Sequence, residues 1–254
     1  EGPAFDVIVP SLPGYAFSEP PKQPGMHLGR IAERMHLLMR DLGYERYGVQ
    51  GGDWGAAVGS RLAQQHPEAV IGLHLNFAIA PPPPLEELSD DERAALRDAE
   101  MWRMQETAYA MLQGTKPQTL AYALVDSPTG LLAWILEKFW AWSDHGDDLW
   151  QTFEKDAVLA NVSLYWFTNT VLSAARTYYE ARRESPAMAV TAGRVEVPTA
   201  FANFPAEPFR SPRAAIERAY NLVRWTDQQK GGHFAAMEQP ELFAKDVAEF
   251  FASL

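Results

Sequence analysis

The sequence predicts an α/β fold: a doubly wound, mostly parallel sheet into which a block of helices is inserted. Three observations predict it. Strand-like and helix-like segments alternate through residues 5–76, the rhythm of a parallel sheet with helices on both faces. After Ile-Ala-Pro-Pro-Pro-Pro at 79–84 the alternation gives way to a helical, aromatic-rich stretch reaching about residue 185. It resumes near 195 and continues to the end. On this basis the chain divides into a first part of the sheet domain at 1–79, a helical lid at 80–189 and a second part of the sheet domain at 190–254.

The elements follow in order. Phe-Asp-Val-Ile-Val at 5–9 is expected to be a buried strand, because β-branched and aromatic residues suit a pleated surface. Leu28, Ile31, Met35, Leu38 and Leu42 recur in steps of three and four, which marks an amphipathic helix. Gly43 suits its C-terminal cap. A short strand at 46–50 runs into Gly51 and Gly52, and a helix of small residues begins near Gly55 and stops before Pro67. Residues 70–76 are the next strand.

The prolines at 81–84 make a stiff extended entry to the helical block. That block holds Trp102, Trp134, Trp140, Trp142, Trp150 and Trp166. Strand 195–201, helix 212–219 and strand 221–225 then restore the rhythm. A closing helix carries Phe243, Val247, Phe250, Phe251 and Leu254 on one face.

Composition bounds the function. At 254 residues the chain can bury a large core, and 47% hydrophobic with 22% charged residues is ordinary for a globular protein. A net charge of −11 argues against nucleic acid or an anionic membrane as partner. Cysteine is absent, which excludes disulfides, thiolate metal sites and a cysteine nucleophile. No stretch reaches the roughly 18 apolar residues of a membrane-spanning helix. No cofactor or metal is expected, and a cytoplasmic location is.

The chemistry starts at Gly-Gly-Asp-Trp-Gly, residues 51–55. Strand, tight turn and small-residue helix make a nucleophile elbow of the form G-x-Nuc-x-G, with Asp53 at the apex. Such a turn strains the apex backbone, and side chains at the flanking positions would clash with strand or helix. A carboxylate there can attack carbon and form an ester that water later hydrolyses. Gly-Gly-Asp is also an ordinary turn, and Asp an ordinary N-cap.

An ester needs a base to activate water. Of six histidines, His36 and His74 lie inside a helix and a strand. His27 and His145 read as solvated loop residues, and His66 sits at a helix end. His233 follows Lys-Gly-Gly just after a strand, where loops carry function. Glu207, in Asn-Phe-Pro-Ala-Glu-Pro just past strand 195–201, is the candidate acid that would set the histidine tautomer. The order nucleophile, acid, histidine is that of α/β-hydrolases. Asn76 cannot serve as an acid, and Asp227 is too close to His233 along the chain.

With these residues in place, the chain resembles the microsomal-type epoxide hydrolases, members of the α/β-hydrolase fold. The resemblance is carried by Pro-Ser-Leu-Pro-Gly-Tyr-Ala-Phe-Ser (10–18), Gln-Gly-Gly-Asp-Trp-Gly (50–55), Phe-Pro-Ala-Glu (204–207) and Gly-Gly-His-Phe-Ala-Ala-Met-Glu-Gln-Pro (231–240). Thr-Lys-Pro-Gln-Thr (115–119) and Leu-Glu-Lys-Phe (136–139) belong to it as well.

The resemblance implies Asp53 as nucleophile, Glu207 as acid, His233 as base, and two lid tyrosines, Tyr109 and Tyr178, above the nucleophile; Tyr179 leaves a register alternative at the second. A phenol of pKa about 10 stays protonated at neutral pH and can donate to the alkoxide of an opening epoxide. The Trp54 N–H is the expected oxyanion donor. The expected reaction is epoxide plus water to vicinal diol, a detoxification chemistry.

The family's His-Gly-x-Pro turn and its lid-wrapping N-terminal segment are not found in this sequence, which is read as having lost its beginning. That reading leads to an expectation of poor stability, a tendency to associate, as in a homo-oligomer, and weak or no turnover of epoxides. Two alternatives stay open. One is a haloalkane dehalogenase, since Trp54 beside Asp53 suits halide binding. The other is an inactive hydrolase-fold binding protein.

Overall fold

A computed structural model describes residues 4–81, 83–185 and 193–254. Leu28, Ile31 and Ala32 bury one face of the first helix, α1 (Leu28–Asp41). It ends where Gly43 turns into the left-handed region at φ 91° and its N–H closes on Arg40 O. Strand β1 (Tyr47–Gly51), helix α2 (Asp53–Gln65) and strand β2 (Val70–Leu75) follow. Helix α2 begins at Asp53 itself rather than near Gly55.

Six helices then intervene before the next strand: α3 (Asp90–Glu106), α4 (Ala108–Thr115), α5 (Pro117–Leu124), α6 (Pro128–Trp142), α7 (Lys155–Thr168) and α8 (Val171–Glu184). Their ends carry clear signals. Ser89 and Glu92 form a reciprocal capping box on α3. Ser127 caps α6, and Asn169 closes α7 at φ 54°. The chain returns through β3 (Val195–Asn203), α9 (Arg213–Ala219), β4 (Tyr220–Asp227), α10 (Ala235–Glu238) and α11 (Pro240–Ala252). The expected boundary at 189/190 and Pro82 of the proline run lie outside the described residues.

The described strands form one parallel sheet in the order β1-β2-β3-β4. Gly51 pairs with Leu75, Leu75 with Phe201 and Phe201 with Trp225, so the carboxyl ends lie side by side. Segments that follow β1, β3 and β4 therefore emerge at one edge of the sheet, where sites form in folds of this type. Helix α2 lies against Val49 and Leu73 through Gly59. Helix α11 lays Phe251 over Gly48, and Phe250 and Leu254 over Gly72. Successive strand residues point to opposite faces, so α2 and α11 cover the two sides. Between them Leu73 and Leu75 are fully buried, each contributing about 1.5–3 kcal/mol.

The segment 5–9 corrects the sequence expectation. It is irregular, with no ladder partner among the described residues, and Val7 and Val9 are 75% and 85% exposed. It is held by side chains: Phe5 stands edge-on to Phe251, and the Tyr44 hydroxyl donates to Asp6 Oδ2 at 2.7 Å. β-branched residues become a strand only where a neighbour supplies ladder hydrogen bonds and covers a face, and no strand is paired beside them. No single helix among the described residues is long and apolar enough to cross a membrane.

Candidate active site

The loops at the carboxyl edge of the sheet bring Asp53, Glu207 and His233 together. Asp53 is the first residue of α2, two positions past β1, with φ 46°, a left-handed conformation that costs an ordinary residue energy and is held by its surroundings. The glycines before it explain how. A Cβ on Gly51 would collide with the Gly55 carbonyl, and one on Gly52 would stand 2.7 Å from Asn76 Oδ1. Gly55 differs from the expectation: a Cβ there would meet nothing within 4 Å outside its own helix. The steric demand of the elbow falls on its strand side.

The two carboxylate oxygens of Asp53 have different surroundings. Oδ1 accepts the Trp54 N–H at 2.6 Å, and Oδ2 lies 3.3 Å from His233 Nε2. His233 Nδ1 is 2.9 Å from Glu207 Oε2, and Glu207 Oε1 accepts the Phe209 N–H at 3.1 Å. Glu207 is therefore oriented by its own backbone while it orients the imidazole. The ring of His233 is walled by Phe77, Trp142 and Phe234 at centroid distances of 5.6, 5.1 and 5.3 Å.

Burial opposes a charge on His233, but the Glu207 and Asp53 carboxylates outweigh it and push its pKa up to about 10. Burial likewise opposes the charge on Asp53, and the hydrogen bond and charge of His233, with the Trp54 N–H, hold it below the usual carboxylate value. Two carboxylates facing the ring thus favour its protonated form.

Above Asp53 lies a cavity of about 510 Å³ between the sheet edge and the helical block. Tyr109 of α4 and Tyr178 of α8 line it, with ring centroids 5.7 Å apart. Burial raises both phenol pKa values, and the charge of Asp53 raises them further. Tyr178 also stands edge-on to the Trp54 indole at 4.7 Å. Tyr179 faces away: the Arg183 guanidinium lies 4.3 Å above its ring, and it borders a separate groove.

Phe139 and Trp142 line the cavity too. Trp102 packs behind it on Phe209 at 4.2 Å, and Trp166 packs in the cluster around Leu131 and Val162.

Some of the cavity was missed in the sequence. Tyr15 and Tyr165 line it, and the charge of Asp53 reaches both. Gln50 and Asn76 line it as a pair, Gln50 Nε2 donating to Asn76 Oδ1 at 2.9 Å. Tyr15 stood inside a quoted motif without a role, and the amides carry no sequence signal of their own.

The remaining histidines lie away from the cavity. His74 is buried against Asp246, His36 is hydrogen-bonded with Tyr47, and His66 with Glu33. His27 and His145, expected to be solvated, are partly exposed and also partnered, by Glu184 at 2.9 Å and by the Trp140 carbonyl at 2.9 Å. Among the described residues no group of three or more His, Asp or Glu side chains is placed to hold a metal ion.

Comparison with known proteins bears on the fold and on the relatives of this chain. A family model described as the alpha/beta hydrolase fold matches residues 2–114. The chain is 43% identical over 254 residues to a putative epoxide hydrolase of Stigmatella aurantiaca, covering 99% of this chain and 57% of that protein. It is 36% identical over 274 residues to epoxide hydrolase 1 of Sus scrofa, covering 98% and 60%. Among solved structures, the juvenile hormone epoxide hydrolase of the silkworm Bombyx mori superposes with a TM-score of 0.86 at 34% identity, over 96% of this chain and 63% of that one. The Aspergillus niger epoxide hydrolase superposes with a TM-score of 0.83 at 36% identity, over 96% and 62%. The chain thus spans about three fifths of the length of these relatives. With the sheet, the aspartate elbow and alignment over nearly all its residues, the chain has the α/β-hydrolase fold and is similar along its length to epoxide hydrolases.

Proposed function

We propose that this chain hydrolyses epoxides to vicinal diols through an ester on Asp53. One observation carries the reading: an aspartate at the elbow apex, 3.3 Å from an imidazole that a buried glutamate orients, under two protonated tyrosines. Oδ1 is held by the Trp54 N–H, so Oδ2 is the attacking atom. It displaces the epoxide oxygen from the less hindered ring carbon. Tyr109 and Tyr178 donate to the oxygen as the C–O bond breaks. The product is a neutral ester and a hydroxyl group.

The ester prepares its own hydrolysis. Once Asp53 is alkylated its negative charge is gone, and one of the two carboxylates that raise the His233 pKa is removed. His233 then more readily releases its proton, which through solvent restores the phenol that protonated the epoxide oxygen, and the imidazole becomes a base. Its Nε2 takes a proton from water, which attacks the ester carbonyl carbon. Negative charge develops on Oδ1, already at the Trp54 N–H, where such a donor is worth about 10²–10³ in rate. Collapse breaks the acyl C–O bond; the departing diol oxygen takes the proton from His233, and the new Asp53 carboxyl, which carries one oxygen from water, gives its proton to the imidazole, restoring the starting state.

The test is intact mass after rapid quench with an aryl epoxide. His233→Gln should accumulate a substrate adduct on Asp53, and one turnover in water enriched in heavy oxygen should carry carboxylate oxygen into the diol. Normal consumption of epoxide with no adduct in that variant removes Asp53 from the mechanism. Halide release from a bromoalkane, with no epoxide turnover, would select a dehalogenase instead.

A further inference from the structure

Glu238 is a buried carboxylate, 7% exposed, at the end of α10. It does not line the cavity. Its oxygens accept three backbone N–H groups. Oε2 takes Gly232 N at 2.8 Å and Asp144 N at 2.7 Å, and Oε1 takes Phe234 N at 2.8 Å. Gly232 and Phe234 are the two backbone neighbours of His233. Asp144 lies just past the end of α6, the helix that carries Trp142 and Phe139 into the cavity.

Further bonds run the same way. Asp144 Oδ2 accepts the Gly231 N–H at 2.9 Å, and the Trp142 carbonyl accepts the His233 N–H at 2.9 Å. The loop bearing the histidine is thereby bound to the end of a cavity-lining helix, with Glu238 at the junction. Burial and the nearby Asp144 charge raise the Glu238 pKa, while the three N–H groups oppose the rise. The ionised form is the one with acceptors for all three donors.

We propose that Glu238 is a positioning residue: by gripping the backbone on both sides of His233 and the turn after α6, it holds the imidazole where it can act on water at the Asp53 ester. This rests on the reading of Asp53 and His233 given above. A carboxamide offers one acceptor oxygen in place of two. Glu238→Gln therefore leaves at least one of the three buried N–H groups facing an NH2, and the loop must shift to relieve it. Gly232→Ala attacks the same junction from the other side. Its Cβ would stand 2.7 Å from the Trp142 carbonyl oxygen and 3.1 Å from Ser143 Cα, both backbone atoms.

The experiment separates the two chemical steps by rapid quench with an aryl epoxide and, independently, follows the His233 imidazole by NMR across pH without substrate. Both variants should slow ester hydrolysis about 10–100-fold, the usual scale for a catalytic group misplaced by about 1 Å, and accumulate adduct, while alkylation changes less than about threefold. The His233 titration midpoint should move down toward the ordinary imidazole value as its hold on Glu207 and Asp53 loosens. A folded Glu238→Gln protein that slows both steps in proportion, or neither, overturns the proposal. If that variant does not fold, Gly232→Ala decides on the same criteria. If the unmodified protein forms no adduct, the epoxide reading falls first. The titration then stands alone, and an unchanged His233 midpoint in both variants overturns the positioning role.

Discussion

Tyr109 and Tyr178 are the residues whose chemistry depends most on surroundings. Both phenols are protonated at neutral pH, burial and the Asp53 charge raise their pKa values further, and their rings stand 5.7 Å apart on the wall of the cavity. Their effect falls mainly on ring opening, where the epoxide oxygen takes up charge beneath them; the alkoxide expelled in ester hydrolysis is the former Oδ2, which lies beside His233. Phe at either position should slow adduct formation by about 10²-fold or more in single-turnover quench, and Phe at both should nearly abolish it. Tyr179→Phe should leave the step within about twofold, because that ring lies under Arg183 outside the cavity. The register alternative at 178/179 was open in the sequence because neighbouring helical residues point about 100° apart, and only packing selects which one faces the site.

At the scale of elements, the elbow and the closing helix each make a prediction. The strand side of the elbow has no room: Gly51→Ala drives a methyl into the Gly55 carbonyl and should cost about 1–3 kcal/mol in urea unfolding. Gly55→Ala should change stability by less than about 1 kcal/mol, since open space surrounds it and alanine favours helix. Equal losses at the two sites would show that the turn, not strand–helix contact, sets the requirement.

Helix α11 is fastened to the sheet by Asp246, which bonds His74 of β2 at 3.0 Å and Arg224 and Thr226 of β4 at 2.7 and 2.8 Å. Burial opposes its charge, and those partners pull its pKa down to about 2 from 3.8. A depressed folded-state pKa means the stabilisation is complete above the unfolded value and is lost as pH falls from there through about 2. The shift corresponds to about 2 kcal/mol. Asp246→Asn should lower stability at neutral pH and flatten the acid limb of the pH–stability curve; an unchanged acid limb contradicts the assignment.

At the scale of the molecule, the cavity exists only because the helical block folds back over the sheet edge. Tyr109, Trp142 and Tyr178 reach Asp53 from α4, α6 and α8, while His233 and Glu207 reach it from the loops after β4 and β3. Substrate size is therefore set by the helices, and chemistry mostly by the sheet. Ile135→Phe fills part of the cavity without touching the reacting groups. It should reduce kcat/KM for bulky aryl epoxides about tenfold or more, and for a small aliphatic epoxide by less than about threefold. An equal loss on both would place Ile135 in the machinery rather than the wall.

Much of this was legible in the chain by itself. The strand–helix alternation, the elbow at Asp53 and the loop residues Glu207 and His233 could be read because they rest on short-range physics: hydrophobic period, glycine at a tight turn, polar residues just past a strand. The tertiary structure decided the rest. It left 5–9 without a partner strand, despite ideal composition, because a strand is a property of two neighbours. It assigned the Asp53 oxygens different roles, put Tyr178 rather than Tyr179 in the cavity, and sent Trp102 and Trp166 behind it. It also joined Glu238 to Asp144, 94 positions apart in the chain. Such contacts depend on how whole helices settle against the sheet, and no local pattern of residues encodes that register.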